Sequence, residues 1–294
     1  MINELILFYL VYLGQVALLS YFLPKMLYRR LKYVIDTYPP AKYPKFYTSE
    51  SADVAEWKWR ALMRFLKVFS SITLVFGLGL LSVALLNNYS TYDTNLEAIV
   101  ITYTIFQLIP MLVISVSEFK QYKSMRASNV STKRKTELVP RRLFDFISPI
   151  FVVIALLLIA ANISFDIYIA DISPEDNSDL LFKILTTNFV HIYFACFVTW
   201  YLYGKKQDPY QSHKDHKKFL NVVVKIAVYG SIAATIFFFS DTAVEHFDVA
   251  HFDPLLMSLY FQIIIWFTFQ LVLKGSPIED INFEVYKADT ITSQ

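Results

Sequence analysis

Apolar residues along this chain collect in seven blocks of about 20 residues each, the length a helix needs to cross roughly 30 Å of hydrocarbon at 1.5 Å per residue. The blocks run Leu5 to Leu23, Phe65 to Leu86, Leu96 to Val116, Leu143 to Asn162, Leu180 to Tyr203, Phe219 to Phe239 and Pro254 to Leu273. Lipid offers a backbone amide no hydrogen-bond partner, so each block must close its own bonds as an α-helix. A barrel strand would need only about 10 alternating residues. The pattern predicts an all-α, polytopic membrane helix bundle with seven transmembrane helices. The first block is preceded by Glu4 and by no Lys or Arg, and no small-residue cleavage site follows it. It is expected to stay attached as an anchor.

The polar stretches between blocks alternate in charge, which sets an orientation. Those after helices 1, 3 and 5 carry Lys25, Arg29, Arg30, Lys32, Lys42, Lys45, Lys58 and Arg60, then Lys120 through Arg142, then Lys205 through Lys218. Those after helices 2, 4 and 6 carry Asp93, then Asp166, Asp171, Glu175, Asp176 and Asp179, then Asp241, Glu245, Asp248 and Asp253, with Lys183 the one nearby base. Basic loops stay in the cytoplasm, so the N-terminus is expected outside and the C-terminus inside. Composition agrees: 55% of residues are hydrophobic and 18% charged, too apolar for a soluble domain of this size. The net charge of +2 matters less than its separation across the bilayer. The single cysteine, Cys196, lies inside helix 5, so no intramolecular disulfide can form.

Residues 1–274 read as one transmembrane domain, with residues 275–294 as a polar, mobile cytoplasmic tail. The segment 24–64 opens as a basic amphipathic stretch, breaks at Pro39, Pro40 and Pro44, and resumes as an interfacial helix from Ser51 to Arg64 that runs into helix 2. Trp57 and Trp59 would sit at headgroup level there, with Lys58 and Arg60 toward anionic lipid. Short loops suggest a bacterial inner membrane.

Helices 2, 4 and 6 each begin with a base and an apolar run, at Arg64, Arg142 and Lys218. Helices 3, 5 and 7 each hold a central polar residue, Gln107, His191 or Gln262, and reach a Lys about 13 residues later. One helix followed by three tandem two-helix units, related by an axis along the membrane normal, would produce this register.

Polar residues deep in lipid are expensive and are the first candidates for chemistry. Gln15, Gln107, His191 and Gln262 all fall near mid-bilayer, on the four helices that run from outside to inside. If these helices face one another, the four side chains form a polar layer that either glues helices together or handles a small solute or proton. No Asp, Glu, Arg or Lys reads as deeply intramembrane, which speaks against an ion-coupled pump or a retinal protein. His191 has no intramembrane partner for a haem, so no cofactor is expected.

The external run holding Glu245, His246, Asp248, His251 and Asp253 has ligand types that suit zinc, manganese or iron. Its His spacing of five residues matches neither one helical face nor a known metal motif, so a short acidic loop is the simpler expectation. Phosphate-binding and hydrolase motifs are absent. With so little mass outside the membrane, soluble-type catalysis and nucleic-acid binding have nowhere to reside. Gly77, Gly79, Ser82 and Ala84 in helix 2 suit close helix packing. The expected role is non-enzymatic, exercised through the lipid bilayer, anionic lipids at the basic face, a membrane-protein partner or a signal. A small-solute transporter or channel is the alternative, and a metal-dependent membrane enzyme a third.

Overall fold

The computed structural model describes residues 2–48, 51–129, 141–172 and 177–288. Expectations resting on Lys133 through Lys135, Glu175, Asp176 or the last six residues lie outside these. Among the described residues seven helices are long and apolar enough to span a membrane. The protein is a multi-pass membrane helix bundle.

Helix α1 (Ile2–Ala17) passes through a single π turn (Leu18–Phe22) into α2 (Leu23–Thr37). A short α3 (Pro44–Tyr47) precedes α4 (Ala52–Leu86) and α5 (Thr94–Ser128). Then come α6 (Pro149–Ile172), α7 (Asn177–Tyr203), α8 (His213–His246) and α9 (Asp253–Gly275). Local signals set several of these ends. Ser51 is extended and its hydroxyl accepts the Val54 N–H, and Ser212 does the same for Asp215 at the start of α8, each satisfying a donor that the first turn leaves open. Pro254 opens α9 where a missing N–H costs nothing.

The main contacts divide the bundle into two groups. In one, α1 and α2 pack with α4, and α9 fits against α1 and α5; in the other, α8 packs against α6 and α7. The groups meet where α8 lies along α9. Much of the surface is apolar, as lipid allows. On α7 alone Phe182, Leu185, Phe189, Tyr193 and Trp200 are exposed. In the first group Gly77 of α4 lies tight against α5, where an added Cβ would collide with the Tyr103 ring and hydroxyl. Gly79, by contrast, faces open space. Gly77→Ala should therefore destabilise by about 1–3 kcal/mol, the usual cost of overpacking, whereas Gly79→Ala should not destabilise. Thermal unfolding of both variants in detergent checks this, and equal losses would count against it.

Helices α4 and α5 each have 35 residues, about 50 Å of helix against about 30 Å of hydrocarbon. They project at the end where the basic residues lie. There Val34, Tyr43, Tyr47, Ala55, Met125, Ile278, Phe283 and Tyr286 form a second core. This corrects the expectation of a mobile tail for residues 276–288. Phe283 stacks on Tyr38 at 3.7 Å between ring centroids, and Arg30 donates to the Ser276 carbonyl. The Asn282 N–H donates to the Asp215 carboxylate at 3.1 Å. The Tyr286 hydroxyl donates to Asp208; burial, and after it the Asp208 charge, pushes its pKa up and keeps the proton on the donor. Polar composition hid this segment because its two anchoring rings are spaced among charged residues.

A second correction concerns Asp166, expected in the loop after helix 4. The helix continues through it to Ile172. Asp166 is buried against α8, accepting from Asn162 Nδ2 and Thr242 Oγ1, each at 3.0 Å. It is a carboxylate inside the bundle that the apolar block boundaries excluded.

Candidate functional site

Three of the four polar-layer residues converge. Gln15 on α1, Gln107 on α5 and Gln262 on α9 lie roughly 10 residues, about 15 Å along each helix, from the end where the acidic loops lie. The Gln15 amide donates to Thr104 Oγ1 at 2.9 Å and to Gln107 Oε1 at 3.2 Å. Its own carbonyl oxygen accepts from Ser258 Oγ at 2.7 Å. Gln107 Nε2 donates to Ser20 Oγ at 3.0 Å, and Ser20 shares a 2.7 Å hydrogen bond with the Tyr103 hydroxyl. Gln262 Nε2 reaches across to the Val11 carbonyl at 3.0 Å. Gln15 and Ser258 are fully buried and Gln107 nearly so. This knot ties α1, α5 and α9 through side-chain hydrogen bonds made within the protein.

The knot also serves the π turn. Widening one turn of α1 shifts the carbonyl register and leaves acceptors without their usual helical donors. Ser70 of α4 donates to the Ser20 carbonyl at 3.2 Å, and Gln107 lies 3.5 Å from the Gln15 carbonyl. Opposite the π turn, α5 contains Pro110, which has no N–H to offer its own preceding turn. Between them is a cleft of about 40 Å³, lined by Ser20, Ser70, Thr73, Gln107 and Pro110 with aliphatic side chains and Phe269. That space admits ordered water beside the polar side chains that line it.

His191 does not join the knot. It lies on α7 against α8, with Nδ1 at 2.9 Å from Ser231 Oγ and Nε2 at 3.4 Å from Thr235 Oγ1. Burial is partial and the partners are neutral hydroxyls on successive turns of one helix. His191→Gln can retain one of these bonds, so it should cost less than about 1 kcal/mol. Thermal unfolding measures this, and a loss of several times that size would show that the ring does more than join two helices.

The acidic run is distributed over three elements. Glu245 and His246 are exposed on the last turn of α8. Asp248 occupies the loop at φ 56°, and His251 lies against Tyr92 at 5.0 Å between rings. Asp253 begins α9 and is buried. Glu245 pairs with Lys183 of α7 at 3.1 Å. Among the described residues no group of three or more His, Cys, Asp or Glu is placed to hold a metal ion. These ligand types are spread over the end of α8, the loop and the start of α9.

Ser20, Tyr103, Thr104 and Ser258 belong to the knot and were not among the sequence candidates. Ser258 precedes Gln262 by four residues and Thr104 precedes Gln107 by three, so each pair shares a helical face. Counting hydroxyls on the glutamine faces would have found them. No known protein family, curated protein or solved structure matches the chain.

Proposed function

We propose that this protein is a non-enzymatic membrane protein whose role is exercised through a partner, lipid or signal, with the mid-membrane polar layer as the fastening of its first helix. The observation that carries this reading is that Gln15 and Gln107 bond to each other and to adjoining hydroxyls, while Gln262 bonds to Ser258 and to the Val11 carbonyl, across α1, α5 and α9. A transport site needs polar groups turned toward a solute, and here they are spent on each other.

The transporter alternative draws on one feature, the cleft beside the π turn and Pro110, because broken helices are where membrane transport sites form. Reconstitution separates the two readings. Vesicles containing the protein should pass water and small neutral solutes no faster than empty ones, while cross-linking in native membranes should trap a membrane-protein neighbour or retained anionic lipid. Solute flux that Gln107→Leu abolishes would overturn the leading reading.

The alternating loop charges support an N-terminus outside and a C-terminus in the cytoplasm, and the short loops support a bacterial inner membrane as the location. A reporter active only in the cytoplasm should work after Arg126, Gln211 or Gln294 and fail between Ser173 and Ser178. Failure at Gln294 would invert the topology. Within the same proposal α4–α5, α6–α7 and α8–α9 are three parallel copies, supported by the matching positions of Gln107, His191 and Gln262. Superposition through one rotation about the membrane normal tests it, and divergent crossing angles would count against duplication.

A further inference from the structure

The end opposite the basic layer gathers carboxylates from three helices around Asp253. Asp253 is 8% exposed, and its Oδ1 is buried with no hydrogen-bond partner. Three acids bear on it electrostatically, Asp241 and Glu245 of α8 and Glu97 of α5. Lys183 of α7, the base in this neighbourhood, is engaged with Glu245 at 3.1 Å. On the 3-10 turn just before α9, the His251 Nδ1 is likewise buried without a hydrogen bond, and Asp248 is exposed in the loop before it. Helix α1, which also packs on α9, brings Glu4 in its first turn.

An ionised carboxylate with a buried, unsatisfied oxygen and three like charges around it is disfavoured twice, by lost solvation and by repulsion. A metal ion is not the remedy, because no set of three such ligands converges here among the described residues. A proton removes the charge without needing converging ligands. We propose that Asp253 binds a proton that fastens the start of α9 to α5 and α8, and that its release loosens the hold of α9 on α1. The link runs down α9 itself. Ser258 is five residues below Asp253 and donates to Gln15 at 2.7 Å, and Gln262, one turn further, holds the Val11 carbonyl at 3.0 Å. Met257 and Phe261, on the same stretch, pack on the core of Phe8, Tyr12, Leu96 and Tyr103. Repulsion at Asp253 pushes the first turns of α9 outward and strains these contacts first. The ligand is the hydrogen ion of the compartment that the acidic end faces, which goes beyond the non-enzymatic role proposed above and adds a signal to it.

The test uses the full chain in lipid nanodiscs. Infrared difference spectra across mildly acidic to mildly alkaline pH should show a protonated-carboxyl band that disappears as pH rises, and that band should be lost in Asp253→Asn. In wild type, amide exchange over residues 254–262, corrected for its intrinsic pH dependence, should accelerate as the band disappears. In Asp253→Asn it should stay slow throughout. A band that survives Asp253→Asn, or exchange in α9 that ignores it, would overturn the proposal. If Asp253→Asn does not fold, Glu97→Gln serves instead. Removing one repelling charge must move the titration of the band to lower pH, and an unmoved titration overturns the proposal equally.

Discussion

Phe283→Ala is expected to destabilise the basic-end layer by about 3–5 kcal/mol, the range for emptying a buried phenylalanine site. The ring is 5% exposed. It stacks on Tyr38 with 13° between planes at 3.7 Å, and meets the edges of Phe46 at 5.6 Å and Tyr43 at 6.5 Å. Alanine leaves those three rings facing a void that their rigid backbones cannot close. Besides the Ile278 and Tyr286 side chains in the same core, the C-terminal segment is tied by the Arg30–Ser276, Tyr286–Asp208 and Asn282–Asp215 hydrogen bonds and the part-exposed Lys218–Asp280 pair at 2.8 Å. Exposed pairs contribute only about 0–1 kcal/mol. The segment should therefore release as a unit. Limited proteolysis should cut residues 276–288 in Phe283→Ala much faster than in wild type, with the spanning helices still intact. Glu284→Ala, at an exposed neighbour, should leave the cutting rate unchanged. Equal resistance in all three proteins would show that the segment is held by something other than its ring.

Gln15→Leu should be the most damaging single change within the membrane, because Gln15 is the centre of the knot. Leucine has similar bulk but cannot donate to Thr104 and Gln107 or accept from Ser258. Interhelical hydrogen bonds in membranes average about 0.6 kcal/mol, with a maximum near 1.7. Three lost bonds therefore give a loss of about 2–5 kcal/mol. Gln15→Glu discriminates further. A protonated Glu can both donate and accept, so its stability should fall as pH rises and the carboxyl ionises in its buried site. Thermal unfolding of both variants across pH is the measurement. A pH-independent Gln15→Glu, or a Gln15→Leu as stable as wild type, would mean that packing rather than hydrogen bonding holds α1 to α5 and α9.

Block length and composition were enough to predict seven spanning helices, because a backbone in hydrocarbon has one economical conformation and needs about 20 apolar residues to cross. The same rule misplaced the edge of α6, putting Asp166 in a loop although it accepts from Asn162 and Thr242 inside the bundle. It also passed over the C-terminal segment, since Phe283 and Tyr286 are too few to register as an apolar block and matter only because Tyr38, Tyr43 and Phe46 are waiting for them. Glutamines at mid-membrane depth were equally legible, because depth is a count along one helix.

Which of them meet was not legible. Lipid is as apolar as leucine, so a spanning helix carries no strong stripe telling its protein-facing side from its lipid-facing side. Gln15, Gln107 and Gln262 come together, and His191 turns instead to Ser231 and Thr235, because of how α1, α5, α7, α8 and α9 are rotated and paired. Depth and topology are properties of single segments and are written residue by residue. The knot, the buried Asp253 and the C-terminal clasp are properties of contacts between segments far apart in the chain, and only the assembled bundle chooses among them.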